Sequence, residues 1–162
     1  MNMTTLLTLD RIACEWELSS RKRVFERLSD MLARCQTGLG SEAIFNALTN
    51  REKLGSTALG NGIAIPHACL PIIEPCGALL RVEEGVKMDA PDKKPVQLFM
   101  AILVPTTQAS RFSRFIPELT LTLLNKTLSE NLQQCTSPEA LWACIQQQLA
   151  PPETPYNTAL AA

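Results

Sequence analysis

The chain has 162 residues, 46% hydrophobic and 19% charged, with 15 basic against 16 acidic side chains and a formal net charge of −1. That is enough chain for one domain with a core of its own, and the charge balance gives no basic face for nucleic acid. No stretch approaches the ~18 apolar residues of a membrane helix, so no membrane span is expected and the chain reads as cytoplasmic. Six cysteines (Cys14, Cys35, Cys69, Cys76, Cys135 and Cys144) contain no C-x-x-C pair and read as buried free thiols. The RIAC string at Arg11–Cys14 resembles a lipoprotein cleavage site only superficially, because no basic start precedes it and Asp10 and Arg11 interrupt the apolar region.

In chain order, residues 1–18 form a mixed lead-in, with Leu6, Leu7 and Leu9 as an expected edge strand. Ser19 or Ser20 caps a helix whose inward face is Val24, Phe25, Leu28, Met31 and Leu32. Ser41 caps a second helix, with Glu42 in its first turn and Ile44, Phe45 and Leu48 inward, running to Lys53 with Gly55 just beyond. Ile63–Ile65 reads as a short buried strand that Pro66 stops just before His67. Gly77–Val82 is a strand and Glu83–Gly85 a turn, with Val86, Met88 and Ala90 continuing beyond it. Val96–Val104 (VQLFMAILV) is uninterrupted and reads as a central strand buried on both faces.

A helix over 111–125 carries Phe112, Ile116, Leu119 and Leu123 on one stripe, and Pro117 requires it either to start near Ile116 or to bend. Ser129 is expected to cap a short turn around Leu132. Ser137-Pro138-Glu139 is a helix start, with Leu141, Trp142, Ile145 and Leu149 facing inward. Residues 1–150 are thus one α/β domain, a mixed, mostly buried β-sheet flanked by helices, and 151–162 an expected disordered tail.

Chemistry concentrates in Gly55–His67, GSTALGNGIAIPH, which joins a glycine-rich loop to the only histidine in the chain. A nucleotide-binding P-loop would need Lys and Ser/Thr where Asn61 and Gly62 stand, so that reading fails. One histidine and scattered cysteines make no zinc ligand set, and no metal is expected. A Cys69–His67 nucleophile pair is a further reading, with uncertain geometry across Ala68. His67 itself has two readings: a packed residue without chemistry, or a neutral imidazole with one nitrogen hydrogen-bonded and the other nucleophilic. In the second, Arg51, Ser56, Thr57 and Asn61 are the candidates for stabilising a transferred phosphoryl group.

Arg51–His67, REKLGSTALGNGIAIPH, resembles the active-site segment of the phosphotransferase-system EIIA domains of the fructose/mannitol class, most of all the nitrogen-regulatory branch (EIIA-Ntr). The likeness continues through Val86–Pro105 and Asn125–Leu141. It implies an EIIA-type α/β fold and a phosphocarrier that accepts a phosphoryl group on His67 from an HPr-type (NPr-type) carrier protein; Nε2 is the expected acceptor, with Nδ1 held by the backbone. It implies no cofactor, and regulatory targets such as potassium transporters or sensor kinases. An apolar rim of Ile63, Ile65 and Phe112 is the expected docking face for the carrier. Members of this family commonly carry a second histidine a few residues after the VP that ends the long strand; here that position is Phe112, between Arg111 and Arg114. Two alternatives therefore stand beside the phosphocarrier: a non-catalytic interaction scaffold, and a sugar-specific EIIA serving a separate permease.

Overall fold

The computed structural model describes residues 2–35 and 37–149, with side chains to residue 148. Its sheet is built around the apolar run, which forms strand β6, Val96–Pro105. Alternation along β6 divides the interior in two. Leu98, Met100, Ile102 and Val104 point into one core, and Phe99, Ala101 and Leu103 into the other. Burial on both faces is why no polar residue interrupts the run.

On one side β6 pairs antiparallel with β5, Cys76–Val86, which pairs in parallel with the edge strand β1, Ile12–Glu15. On its other side it pairs in parallel with β3, Ile63–Ala64, and β4, His67–Leu70. The hairpin strand β2, Ala58–Gly60, then pairs antiparallel with β3. Ile63 lies opposite Leu98 and His67 opposite Ile102, so β3 and β4 keep one register along β6. They are two halves of one line, interrupted at Ile65–Pro66. Pro66 has no N–H to give, but its carbonyl accepts the Ile102 N–H at 2.9 Å, which carries the register across the break.

Helices cover both faces. Helix α2, Arg21–Leu32, and α3, Ser41–Lys53, pack on the Phe99 side. Four more close the Met100 side: α1, Met3–Leu6; α4, Ala109–Leu124; α5, Lys126–Gln134; and α6, Pro138–Leu149. The result is a mixed α/β domain with a six-stranded sheet between two helical layers.

Several expectations shift in the structure. The leucines at 6–9 form no edge strand: Met3–Leu6 is a helix capped by Asn2, Leu9–Arg11 a 3-10 turn, and the edge strand begins at Ile12. Gly40, not Ser41, occupies the cap of α3, so Ser41 is its first helical residue. The expected turn at Glu83–Gly85 is a bulge within one long β5, whose register against β6 slips between Arg81 and Val86. Helix α4 runs unbroken from Ala109 through Pro117, and Phe112, Phe115, Leu119 and Leu123 are its buried stripe. Asn125 caps α5 through the Leu128 N–H, which leaves Ser129 inside the helix and buried. Ser137 caps α6 as expected, accepting the Ala140 N–H at 3.1 Å, and Leu141 and Ile145 are buried. The inward side chain expected at Leu149 and the tail 151–162 lie outside the described residues.

Candidate functional site

His67 does not hang from a strand end; it opens β4. Because it pairs with Ile102 in parallel, its side chain shares the face of Ile102, the face covered by α4. The ring is half-buried, and its Nδ1 lies 2.8 Å from the Ile65 carbonyl oxygen. A carbonyl oxygen only accepts, so Nδ1 carries the proton and Nε2 the lone pair of the neutral ring. Burial holds the imidazole below its ordinary range. The nearby Arg51 charge pushes the same way, while the Ile65 hydrogen bond and the Glu52 charge oppose it. The ring is therefore neutral at pH 7, with one nitrogen pinned and the other nucleophilic.

The glycine-bordered loop is fixed by its own hydrogen bonds. Arg51, in the last turn of α3, donates from Nη1 to the Gly55 carbonyl at 2.9 Å, tying the helix end to the loop. Ser56 is exposed, and its Oγ accepts the Ala58 N–H. Thr57 is buried and committed: the Glu52 carboxylate accepts its N–H at 3.1 and 3.2 Å and its hydroxyl at 2.6 Å. Thr57 in turn accepts the Ile65 N–H at 3.1 Å. It braces the segment leading to His67, and its hydroxyl hydrogen is already spent on Glu52.

The structure does not bring Asn61 to this place. Asn61 sits at the tip of the β2–β3 hairpin with φ +55, donating its N–H to Asp92 and its carbonyl accepting from Gln133. Gly62 faces Gln97 while His67 faces Ile102, a separation of about 16 Å at roughly 3.3 Å per strand residue. The apolar docking rim is also corrected. Ile63, Ile65 and Phe112 are 0%, 1% and 2% exposed, part of the core under α4, and offer no surface to a partner. Phe112 instead meets Phe115 edge-on, with ring centroids 5.5 Å apart. The exposed basic residues on that stretch of α4 are Arg111 and Arg114, which with Ser110, Phe115 and Glu118 line a shallow cavity of about 460 Å³.

Two residues of interest were not legible beforehand. Glu52 is one, a buried acid whose only sequence signal is its place five residues before Thr57 across a glycine. Gln108 is the other, at the turn from β6 into α4, with its side-chain oxygen buried and unpartnered among the described residues. Of the six free cysteines, Cys76 alone is fully buried; Cys69 is exposed, and the others are half-buried. Cys69 shares the sheet face of His67, two residues along β4. Among the described residues no cluster of His, Cys, Asp and Glu could hold a metal ion, and no helix is long and apolar enough to cross a membrane.

A mixed sheet between helical layers, with one neutral histidine opening a strand behind a braced loop, defines a single-histidine α/β domain. Residues 5–148 match the family described as "Phosphoenolpyruvate-dependent sugar phosphotransferase system, EIIA 2". The chain belongs to that family. It is 33% identical over 149 residues to a nitrogen regulatory protein of Klebsiella oxytoca, spanning 91% of each chain. With the nitrogen regulatory protein of Escherichia coli it shares 34% over 148 residues, 90% of this chain and 88% of the other. The crystal structure of the nitrogen regulatory protein IIA-Ntr from Neisseria meningitidis superposes with a TM-score of 0.81 at 35% identity, covering 88% of this chain and 98% of that one. The mannitol IIA protein of E. coli has the same fold, with a TM-score of 0.71 at 20% identity over 86% and 98% of the two chains. This kinship supports a regulatory role in the phosphotransferase system.

Proposed function

We propose that the chain is a regulatory phosphocarrier that accepts a phosphoryl group on Nε2 of His67 from an HPr-type carrier protein and signals by protein–protein binding. The observation that carries this reading is the pinned, neutral imidazole: Nδ1–H on the Ile65 carbonyl, Nε2 left as the nucleophile. In the transfer, the Nε2 lone pair forms a new P–N bond as the P–N bond of the donor's protonated phosphohistidine breaks. The donor leaves as neutral imidazole, and the His67 ring becomes cationic with Nδ1–H still on Ile65. No proton has to move.

Arg51 supplies positive charge beside the ring, and the exposed Ser56 is the free hydroxyl of the loop. Thr57 and Glu52 brace them. The group adds roughly −1.5 to −2 charge at pH 7, beneath a helix that exposes Arg111 and Arg114, and that change of local field is the signal. Potassium transporters and sensor kinases are the class of regulatory target proposed, and the cytoplasm the compartment.

Intact-protein mass spectrometry tests this after incubation with phosphoenolpyruvate, an enzyme-I-type protein and an HPr-type carrier. An acid-labile phosphoryl adduct is expected on the native chain and none on His67→Gln. The absence of an adduct with demonstrably active carriers would sink the proposal. It would favour the scaffold reading, to which one observation already points: Phe112, buried in the core, cannot share a proton with a neighbouring imidazole.

A further inference from the structure

A second feature lies on the other side of the sheet. Between α2 and α3 is a half-open cavity of about 430 Å³, within the size range of small-molecule sites. Phe25 and Phe45 form its apolar wall, and Thr49 contributes a buried hydroxyl oxygen with no hydrogen-bond partner among the described residues. The charges at its mouth do not cancel. Arg21 is 3.6 Å from Asp89, and the Thr57 donors satisfy Glu52 without removing its charge, so Arg21, Lys22 and Lys53 face two acids and leave an excess of positive charge. Lys22 and Lys53 remain, exposed and without an ion pair among the described residues.

We propose that this cavity binds a small organic anion, a phosphate or carboxylate on an aromatic or aliphatic body, and that its occupancy is felt at His67. The anionic group sits between Lys22 and Lys53, the body against Phe25 and Phe45, and the Thr49 hydroxyl takes a polar atom of the ligand.

The link to His67 is a continuous set of hydrogen bonds. Glu52 forms part of the cavity wall. Its carboxylate accepts from the Thr57 N–H and hydroxyl, the Thr57 carbonyl accepts from the Ile65 N–H, and the Ile65 carbonyl accepts from Nδ1 of His67. An anion seated beside Glu52 repels its carboxylate and thereby shifts the group that fixes the imidazole's orientation and proton. The consequence for phosphoryl acceptance rests on the phosphocarrier reading; the binding and the coupling do not.

Two-dimensional NMR of the amides and of the His67 ring, with phenyl phosphate as probe and benzyl alcohol as its uncharged control, tests both parts without any phosphorylation step. Phenyl phosphate is expected to give saturable shifts at Phe25, Phe45 and Thr49 and to move the His67 ring signals, with benzyl alcohol weaker by about tenfold or more, the size of one lost charge contact of ~1.4 kcal/mol. Replacing both exposed lysines, Lys22→Gln and Lys53→Gln, should weaken phenyl phosphate similarly while leaving the fold intact. Binding that does not saturate, or that is equal for the control or the double variant, overturns the site. For the coupling, Glu52→Gln, which keeps an oxygen acceptor for Thr57 but loses the charge the anion repels, should bind the probe but lose the His67 response; a ring that moves equally in that variant overturns the relay. A phosphorylation assay that fails while these shifts appear would reject the phosphocarrier and leave the site standing.

Discussion

The decisive residue is the only histidine in the sequence, so its titration can be read alone. Burial lowers its pKa relative to the unfolded chain, which means the unfolded state binds the proton more readily. The stabilisation from keeping this ring neutral is complete above the ordinary imidazole value of about 6.5. It is lost as pH falls from there through the lowered folded value. Urea midpoints measured from above neutrality down through the imidazole range should therefore fall in the native chain and fall less steeply in His67→Gln. Equal slopes would mean that the ring is not held neutral. His67 and its glycine loop were legible because a lone imidazole and a glycine-rich turn stand out by residue type. Glu52 was not, since an acid in the last turn of a helix next to Arg51 looks like solvated surface. Only the fold, by returning Thr57 onto it, reveals a brace.

At the scale of elements, legibility followed burial pattern. The run in β6 announced a central strand because both its faces are interior, whereas Ile63 and Ile65 carried no signal separating a core face from a docking face. Asn61 looked close to His67 because the sequence cannot show that a two-residue hairpin tip points the loop's far end toward Asp92. A turn and the bulge in β5 both favour glycine, so the sequence does not separate them. Gly85 there has φ +73, and a Cβ on it would lie 2.9 Å from Cβ of Pro95. Gly85→Ala should thus destabilise by roughly 1–3 kcal/mol, the range for a strained backbone position, measurable by chemical denaturation. An unchanged midpoint would mean that the bulge is free to relax. Pro117 is the opposite case. Inside α4 and exposed, it leaves the Ser113 carbonyl without its helical donor. Pro117→Ala should stabilise by roughly 1–2 kcal/mol, the restored helical bond less the entropy proline removes from the unfolded chain. Destabilisation would show that the proline sets a bend on which the packing of Phe112 and Leu119 depends.

The whole molecule poses a different question, because its two cores are kept apart by the sheet they share. The Phe99 core holds α2 and α3, and the Met100 core the other four helices. Two cores invite two independent melts. The strands argue against it: β6 places alternate residues in both cores and β5 adds Leu79 to one and Ala78, Leu80 and Val82 to the other, so neither layer can be lost without exposing one apolar face of the sheet. The chain should unfold in one transition. Ile44→Val in one core and Ile145→Val in the other should each cost about 0.5–1.5 kcal/mol. Both should lower the same single midpoint, and their effects should add within ~0.5 kcal/mol. Far-UV circular dichroism and, with the exposed Trp16 replaced by Phe, the fluorescence of Trp142 on α6 provide the comparison, since the first reports both layers and the second chiefly the Met100 side. Coincident curves are expected. If Ile44→Val shifted the dichroism curve while the fluorescence curve stayed in place, α2 and α3 would be a separately melting layer. The loop that α3 ties to His67 would then be open in a fraction of folded molecules, and that fraction would limit how much of the protein presents a positioned imidazole at any moment.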